Sequence, residues 1–336
     1  MVERSNLRVG ILGTGRIGRL HAELLARQVA GADLTCVHDA HAPSARTVAD
    51  RLGAVAAPTP DALIAAVDAV AICTPTDTHA DLIVAAARAG RAIFCEKPVS
   101  LDLATVDRVL AAVDAAHVPF QIGFNRRFDP AHAAVAAAVA DGTVGEPHLA
   151  RISSRDPDPP SLDYVRHSGG LFLDMTIHDF DMARFVVGAE IVEVFARAAV
   201  RVDPAMAAAG DVDTAVVTLV HANGCLTTID NSRRARYGYD QRVEVFGSEG
   251  MASSANPLAH TATVATAAGL RAPPLPTFFL DRYVPSYVRE WEAFVAAVAA
   301  GTAPPVGAAD ARAPLVAGLA AWRSVRERRP VSVAEI

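Results

Sequence analysis

The sequence is poor in cysteine. Its 336 residues include four cysteines, and no two of them have the C-x-x-C spacing of a zinc or redox site. This scarcity counts against a zinc-dependent alcohol dehydrogenase, and no metal site is predicted. The four thiols, Cys36, Cys73, Cys95 and Cys225, are interpreted as buried side chains of a protein in a reducing compartment.

Long apolar runs and clusters of positive charge are also missing. The alanine-rich stretches are broken by charges, so no segment reaches the roughly twenty apolar residues of a membrane span. The net charge is -6, and no lysine and arginine cluster is interleaved with aromatic residues. The start, Met1–Asn6, lacks the apolar core of a signal peptide. We therefore expect a cytoplasmic protein that binds neither nucleic acid nor membranes.

What the sequence does contain, near its start, is an apolar segment followed by closely spaced glycines. Residues 7–12 are rich in strand formers, and Gly13, Gly15 and Gly18 follow in the pattern G-x-G-x-x-G before a predicted helix. Gly13 permits a tight turn, Gly15 lacks the Cβ that would block a pyrophosphate, and Gly18 lets the helix lie close to the sheet. The pattern indicates a dinucleotide whose phosphates lie at the positive end of the helix.

An acidic residue follows the next predicted strand. Asp39 stands directly after residues 34–38 and about twenty residues after Gly18, a spacing at which a carboxylate can bind a ribose 2′-hydroxyl. It would repel a 2′-phosphate, and residues 40–43 contain no arginine or lysine to neutralise one. The pattern predicts NAD rather than NADP as the cofactor. The alternative is that Asp39 only caps the following helix.

The first part of the chain alternates short apolar runs with helical periods. This alternation predicts a Rossmann-type domain over residues 1–124, a doubly wound parallel sheet covered by helices on both faces. The predicted strands cover residues 8–12, 34–38, 69–74, 92–95 and 120–123, and the helices cover 18–30, 42–51, 79–89 and 103–116. Ligands bind at the carboxyl ends of such strands, where three polar loops lie, at residues 74–79, 96–98 and 125–129.

The pattern changes after Pro130. Five segments alternate apolar and polar residues, which is typical of an antiparallel sheet with one face toward water. They cover residues 149–153, 191–200, 214–221, 225–231 and 241–246, with helices predicted at 171–187, 283–300 and 309–328. We therefore expect residues 125–336 to form an α/β domain with a large, mostly antiparallel open sheet.

The loop Glu96-Lys97-Pro98 places a cation directly after a strand. A lysine at the ligand edge of the sheet can donate a hydrogen bond to a substrate oxygen and stabilise negative charge that develops there. The alternative is that Lys97 is a solvated loop residue paired with Glu96.

Two titratable residues that could act together lie in the segment 168–184. Asp174 and His178 stand four residues apart on a predicted helix and would share one face. A histidine oriented by a carboxylate is a suitable general base near neutral pH, and charged groups crowded into an apolar helix favour catalysis. The alternatives are an ion pair on the helix surface and a metal site.

These motifs together resemble the glucose-fructose oxidoreductase, inositol dehydrogenase and rhizopine-catabolism family (Gfo/Idh/MocA). The resemblance covers essentially the whole chain and is carried by the three glycines, the Glu96-Lys97-Pro98 loop and the segment from Gly169-Gly170 to His178-Asp179. Longer strings at residues 154–157, 174–181, 230–234 and 237–241 are more narrowly similar to inositol 2-dehydrogenases.

The resemblance implies roles for individual residues. His178 would be the general base, Asp174 its partner and substrate anchor, and Lys97 the donor to the reacting oxygen. The residues implied to contact substrate are Lys97, Arg126, Asp156, Asp174, His178 and Tyr239. Those expected to bind the cofactor are Gly13, Gly15, Arg16, Ile17, Gly18, Asp39, Thr74, Pro75, Thr76, His79, Glu96 and Lys97. Asn125 and Asp156 differ from the residues of some relatives, which leaves the stereochemical preference open.

The activity implied by the resemblance is the NAD-dependent oxidation of myo-inositol to 2-keto-myo-inositol (scyllo-inosose). Family members usually form dimers or tetramers through the open sheet, so a homo-oligomer is expected. One alternative is a dehydrogenase of scyllo-inositol, chiro-inositol or an aldose, since the same trio can oxidise any well-placed secondary alcohol. A second is a non-catalytic NAD-binding regulator, although such a protein would be expected to have lost the lysine or the histidine.

The carboxylate of Asp39 generates a prediction about cofactor choice. We expect kcat/KM to be higher with NAD than with NADP, because a 2′-phosphate would be repelled by this charge. Steady-state kinetics with both cofactors at saturating substrate measure the ratio. A preference for NADP of about tenfold or more, equivalent to about 1.4 kcal/mol, would overturn the prediction.

Overall fold

The computed structural model describes residues 6–336. The first five residues, on which the expectation of a chain without a signal peptide partly depends, lie outside that range. The described chain forms two compact units: unit 1 comprises residues up to Asn125 together with Ser286–Ala313, and unit 2 comprises Arg126–Pro285 together with Pro314–Ile336.

Unit 1 contains a six-stranded parallel sheet in the order β3-β2-β1-β4-β5-β6. Its strands are β1 (Leu7–Leu12), β2 (Ala32–His38), β3 (Val55–Ala56), β4 (Ala69–Ile72), β5 (Ala92–Glu96) and β6 (Phe120–Gly123). Its helices are α1 (Arg16–Arg27), α2 (Ala42–Leu52), α3 (Pro60–Ala66), α4 (Thr76–Arg88) and α5 (Leu103–Ala116). The predicted doubly wound sheet is confirmed, and the strand order reverses between β1 and β4, where such sheets bind ligands.

β4 is apolar along its whole length and β5 as far as Cys95, as expected for strands with helices on both faces of the sheet. Every residue of β4 and of β5 is buried. Two short elements, β3 and α3, were not predicted. Their segments are brief and rich in alanine, so they carry little periodic signal.

A later part of the chain belongs to unit 1, although the sequence assigned all of residues 125–336 to the second domain. Trp291 stacks on Phe94 of β5 with ring centroids 4.4 Å apart, and Phe294 packs edge-on against both rings. This burial of aromatic surface explains why residues 286–313 pack with unit 1. The segment is formed from parts of two helices, α10 (Phe279–Ala300) and α11 (Ala308–Glu327), each with a proline at or next to the change of unit.

Unit 2 is built on a seven-stranded sheet in the order β12-β11-β7-β10-β9-β8-β15. Its strands are β7 (Pro147–Arg155), β8 (Ile191–Ala199), β9 (Thr214–His221), β10 (Leu226–Ser232), β11 (Asp240–Gly247), β12 (Met251–Ser254) and β15 (Val331–Ser332). All neighbours pair antiparallel except β10 and β7, which are parallel. A separate hairpin joins β13 (Val264–Thr266) to β14 (Gly269–Arg271). The predicted mostly antiparallel open sheet is confirmed.

Helices cover one face of the unit 2 sheet. The helices of this part of the chain are α6 (Pro130–Ala140), α7 (Leu162–Ser168), α8 (Ile177–Val187), α9 (Ala205–Ala208) and the end of α11, with short 3-10 turns at Asn125–Phe128 and Val333–Glu335. Residues of α6, α8 and α11 share one hydrophobic core with the strands of the sheet. The core residues of β7, β9, β10 and β11 alternate with exposed or half-buried ones. The period of two therefore places one set of side chains in the core and the other toward solvent, as predicted.

The helix predicted over residues 171–187 is interrupted. Leu171–Met175 form one turn of π-helix, and α8 starts only at Ile177. Thr176 explains the change, because its backbone N–H donates to the carbonyl of Leu171, five residues earlier. Single π turns of this kind occur frequently at functional sites.

None of the helices within residues 6–336 is long and apolar enough to span a membrane.

The glycine turn generates a prediction about stability. A Cβ at Gly18 would lie 1.9 Å from the carbonyl oxygen of Gly13, whereas a Cβ at Gly15 would meet no atom within 4 Å. Gly18→Ala should lower the free energy of unfolding by about 1–3 kcal/mol, the usual effect of overpacking. Gly15→Ala is the matched control, because its backbone φ of -65° suits alanine. Denaturant titration measures both variants, and equal midpoints would contradict this account of the turn.

Candidate active site

Two glycines shape the turn after β1 by allowing backbone segments to touch. Gly13 has a φ of +92°, in the region that favours glycine, and a Cβ there would lie 2.7 Å from the carbonyl oxygen of Cys73. Gly18 is in contact with Gly13 in the same way. The turn after β1 and the residues after β4 are therefore packed backbone against backbone.

Gly15 differs from Gly13 and Gly18, because a Cβ at this position would contact no protein atom. It is exposed, and it is the N-cap residue of α1, whose first turn has neither a side-chain cap nor an acidic residue. The backbone N–H groups at this helix end and the positive end of its dipole suit an anion. The residues present therefore fit the pyrophosphate of a dinucleotide, beside exposed Arg16 and half-buried Ile17.

Asp39 is positioned by hydrogen bonds from the glycine turn and from the start of α2. Its Oδ2 accepts from the backbone N–H of Thr14 at 2.7 Å and from the Thr14 hydroxyl at 2.9 Å, and its Oδ1 accepts from the N–H of His41 at 2.8 Å. Burial alone would raise the pKa of Asp39, but these hydrogen bonds outweigh it and lower the pKa. The carboxylate therefore remains charged at neutral pH. The N-cap residue of α2 is His41, so Asp39 does not itself cap that helix.

Two loops at the ends of β4 and β5 are joined by His79. The ring of this buried histidine bridges them, with Nδ1 2.8 Å from the carbonyl oxygen of Pro98 and Nε2 2.8 Å from that of Thr74. Burial lowers the pKa of His79, and a neutral imidazole has one N–H, so the ring donates to one of these two carbonyls at a time. Pro75 is exposed at this edge, and Lys97 is half-buried.

Glu96 is buried beside Lys97 and is held by a histidine that the sequence reasoning missed. His21 Nε2 lies 2.8 Å from Glu96 Oε1, and Trp291 Nε1 lies 2.8 Å from His21 Nδ1. An indole N–H can only donate, so Nδ1 accepts, and Nε2 carries the proton donated to Glu96. This chain of hydrogen bonds orients Glu96 from within the core of unit 1.

In unit 2, Asp174 and His178 are distinguished by their exposure. Within residues 171–180 they are the two half-buried positions, and the other eight are buried. Asp174 Oδ1 accepts from the hydroxyl of Tyr164 at 2.9 Å, and its Oδ2 accepts from Arg233 Nη1 at 3.1 Å. The π turn and the start of α8 therefore present one carboxylate and one imidazole from an otherwise buried segment.

Arg126 is anchored inside unit 2 by a carboxylate. Its Nη1 donates to Asp179 Oδ1 at 2.8 Å and its Nη2 to the hydroxyl of Tyr239 at 3.3 Å. Asn231 donates to the second oxygen of Asp179 at 2.7 Å. Burial raises the pKa of Asp179 to about 6, against the lowering effect of Arg126. The ion pair fixes both Arg126 and Tyr239.

Asp156 lies directly after β7 and is half-buried. Burial raises its pKa to about 6, while the guanidinium groups of Arg233 and Arg126 lower it and the carboxylate of Asp174 raises it further. Arg233 Nη1 lies 3.9 Å from its Oδ2. Asp156 is therefore electrostatically coupled to the groups that hold Arg126 and Asp174.

Each unit gathers one part of the predicted site. Unit 1 brings together the glycine turn, Asp39, the loop after β4 and the loop containing Lys97. Unit 2 brings together Arg126, Asp156, Asp174 and Tyr239 through shared partners, and it carries His178 on the same segment as Asp174. The sequence reasoning did not identify Arg233 and Asp179 as members of the site, although both lie in strings it had singled out.

The glycine turn, the uncapped helix and the fixed carboxylate define a dinucleotide-binding protein of the Rossmann class. Residues 7–124 match the sequence model of an oxidoreductase family with an NAD-binding Rossmann fold, GFO/IDH/MocA, and residues 132–253 match the model of the GFO/IDH/MocA C-terminal domain. The chain belongs to the GFO/IDH/MocA oxidoreductase family, and its cofactor is NAD.

Similar proteins match nearly the full length of the chain. A myo-inositol 2-dehydrogenase of Thermotoga maritima is 47% identical over 333 residues, which are 98% of this chain and 99% of that protein. An inositol 2-dehydrogenase of Rhizobium meliloti is 48% identical over 330 residues, 98% and 99% of the two chains. The crystal structure of a scyllo-inositol dehydrogenase from Lactobacillus casei with bound NAD(H) and scyllo-inositol has a TM-score of 0.91 at 29% identity, covering 98% of this chain and 99% of that one.

Proposed function

We propose that this protein is an NAD-dependent inositol 2-dehydrogenase that oxidises myo-inositol to 2-keto-myo-inositol. The observation that carries the proposal is that Asp174 and His178 are half-buried within an otherwise buried segment. Asp174 is hydrogen-bonded to Tyr164 and Arg233. The likeness to inositol 2-dehydrogenases over nearly the whole chain supports the choice of substrate.

The oxidation removes a proton and a hydride from one CH–OH group and leaves a ketone, and bound NAD supplies the hydride acceptor. His178 takes the hydroxyl proton, as a histidine is suited to do near neutral pH. Asp174 orients the imidazole and accepts a hydrogen bond from the substrate. Lys97 donates a hydrogen bond to the reacting oxygen and stabilises the negative charge that develops on it.

The remaining substrate residues suit a neutral molecule with many hydroxyl groups. Asp156 is half-buried and offers carboxylate oxygens as acceptors, while Arg126 and Tyr239 are buried and already hydrogen-bonded to each other. We therefore assign Asp156 to direct hydroxyl binding and assign Arg126 and Tyr239 to the wall of the same subsite. A mispaired buried polar group is costly, so such a subsite discriminates between hydroxyl patterns.

A dehydrogenase of scyllo-inositol, chiro-inositol or an aldose is the second candidate. A structural relative with bound scyllo-inositol favours it, because isomers differ only in the direction of individual hydroxyl groups. Rates measured on a panel of these polyols and aldoses, followed by the absorbance of the reduced cofactor, decide between the candidates. Tight NAD binding without turnover of any of them would instead support a non-catalytic regulator.

His178 provides the sharpest test of the proposed chemistry. His178→Ala should lower kcat by about two to four orders of magnitude, the usual effect of losing a general base, with little change in the affinity for NAD. Turnover of myo-inositol and a separate cofactor titration measure the two quantities.

The matched control is His167→Ala, which removes an exposed histidine of α7. It should retain the activity of the unmodified protein. Near-full turnover by His178→Ala would remove this residue from the mechanism and leave the family assignment untouched.

We further propose that the protein forms a homo-oligomer through the open face of the unit 2 sheet. Apolar side chains from four strands align on this face: Met251 pairs with Phe246, Phe246 with Leu149, and Leu149 with Leu226. All four are exposed in the single chain. A contiguous exposed apolar row of this kind marks a protein interaction site.

A double substitution tests this interface. Leu149→Glu combined with Leu226→Glu places two charges in the middle of the row, where burial against a second copy would be costly. We expect the molar mass measured by light scattering to fall toward that of a single chain. Val55→Glu, on an exposed strand residue of unit 1, is the control and should leave the mass unchanged. An unmodified protein that is already monomeric would refute the proposal.

A further inference from the structure

Arg233 is a buried cation surrounded by carboxylates. It is 2% exposed, its Nη1 lies 3.1 Å from Asp174 Oδ2 and 3.9 Å from Asp156 Oδ2, and Asp211 also acts on it electrostatically. Two of these three carboxylates, Asp174 and Asp156, are residues to which the proposed function gives direct contact with substrate.

The backbone holds Arg233 beside Asp156. Strands β10 and β7 are parallel neighbours with Ser232 opposite Arg155, so Arg233 and Asp156 leave the sheet side by side. The N–H of Asp156 donates to the carbonyl of Ser232 at 2.9 Å, and the N–H of Arg233 donates to that of Asp213 at 2.8 Å. The backbone of Arg233 is therefore held by its neighbours in the sheet.

Asp211 connects the same cation to the π turn. Its Oδ1 accepts from the N–H of Leu171, the first residue of that turn, at 2.9 Å. Burial raises the pKa of Asp211, which the hydrogen bond from Leu171 and the charge of Arg233 lower in part. Arg233 thus acts both on the carboxylate of Asp174 and on the residue that holds the start of the turn carrying it.

The burial of Arg233 decides how it can act. Its Nε and Nη2 atoms are buried and make no hydrogen bond within the described part of the chain, so a substrate cannot reach them in this arrangement. Binding of a substrate hydroxyl by Arg233 itself is therefore not supported. An influence on the reaction must pass through the two carboxylates beside it.

We propose that Arg233 is a positioning residue, which fixes Asp174 and Asp156 side by side as ionised acceptors for two groups of the polyol. The inference rests on the proposed function, because it presumes that both carboxylates contact substrate. One nitrogen of the guanidinium, Nη1, lies 3.1 Å from Asp174 Oδ2 and 3.9 Å from Asp156 Oδ2, so a single positive group attracts both carboxylates, and its hydrogen bond to Asp174 is charge-assisted.

The charges around Asp156 determine the expected dependence on pH. Arg233 and Arg126 lower the pKa of Asp156, while Asp174 and Asp179 raise it. The further charged or titratable neighbours within this network are Asp211 beside Arg233, Tyr239 beside Asp156 and Tyr164 bound to Asp174. Removing Arg233 leaves two carboxylates in mutual repulsion with one cation fewer, so the pKa of Asp156 must rise. The carboxyl group of Asp156 then stays protonated up to a higher pH, and in that form it is no longer an ionised acceptor for the substrate.

The test uses three variants of the full-length protein with NAD and myo-inositol. Arg233→Gln should lower kcat/KM at neutral pH by about tenfold to a hundredfold, the worth of a hydrogen bond to a charged group. It should also move the acidic limb of the kcat/KM profile upward by about one pH unit or more. Arg233→Lys should return the limb close to its original position, because the charge is restored, while kcat/KM stays reduced because the shorter side chain does not reach the position of Nη1. Arg236→Gln, at an exposed position three residues away, is the control.

Two results would overturn the proposal. One is an acidic limb of Arg233→Gln that coincides with that of the unmodified protein, when active protein is counted by cofactor titration. The other is an acidic limb that moves upward as far in Arg233→Lys as in Arg233→Gln. A purely structural role would lower the amount of folded protein in both variants without moving the limb.

A second readout does not require turnover. The carboxyl carbon of Asp156, labelled with carbon-13 and assigned by Asp156→Asn, should titrate at higher pH in Arg233→Gln than in the unmodified protein. If no polyol is oxidised by the unmodified protein, the proposed function fails. If polyol is oxidised but neither the limb nor this titration moves, the role of Arg233 fails alone.

Discussion

The candidate site of unit 2 depends on the pairing of buried guanidinium groups with carboxylates. Arg126 is paired with buried Asp179 and buried Arg233 with half-buried Asp174, and an unpaired buried charge would cost several kcal/mol. Each pair is therefore stable only while both partners stay in place. Because the partners come from different strands, helices and turns, this constraint ties the local geometry of the site to the integrity of the whole sheet.

The cofactor edge of unit 1 depends on a different constraint, the close approach of backbone to backbone. Gly13 and Gly18 leave no room for a side chain, whereas Gly15 leaves space that the protein does not fill. Hydrogen bonds from buried groups then fix the loops around this space: Thr14 holds Asp39, His79 bridges the loops after β4 and β5, and His21 orients Glu96. The site is preorganised from the core outward, and few of its supports lie at the surface.

The sequence predicted the sheets well because burial on both faces or on one face leaves a clear pattern, continuous in β4 and β5 and alternating in β9 and β10. It failed where the deciding contact is distant. Residues 286–313 look like any amphipathic helical segment, and their place in unit 1 follows only from the stacking of Trp291 on Phe94. The interruption of the helix before Ile177 follows from a hydrogen bond that Thr176 makes to Leu171, which periodicity does not reveal.

By itself the sequence determined the fold class, the glycine turn, the acidic residue after the second strand and, through its resemblance to a known family, Lys97, Asp174 and His178 as candidates. These features are local strings whose meaning depends on spacing along the chain. Only the tertiary structure decided that the carboxylates of Asp156, Asp174 and Asp211 surround Arg233. These contacts depend on strand register and on turns that are far apart in sequence. The physical reason is that electrostatic coupling depends on distance in space and on burial, neither of which is written in the order of the residues.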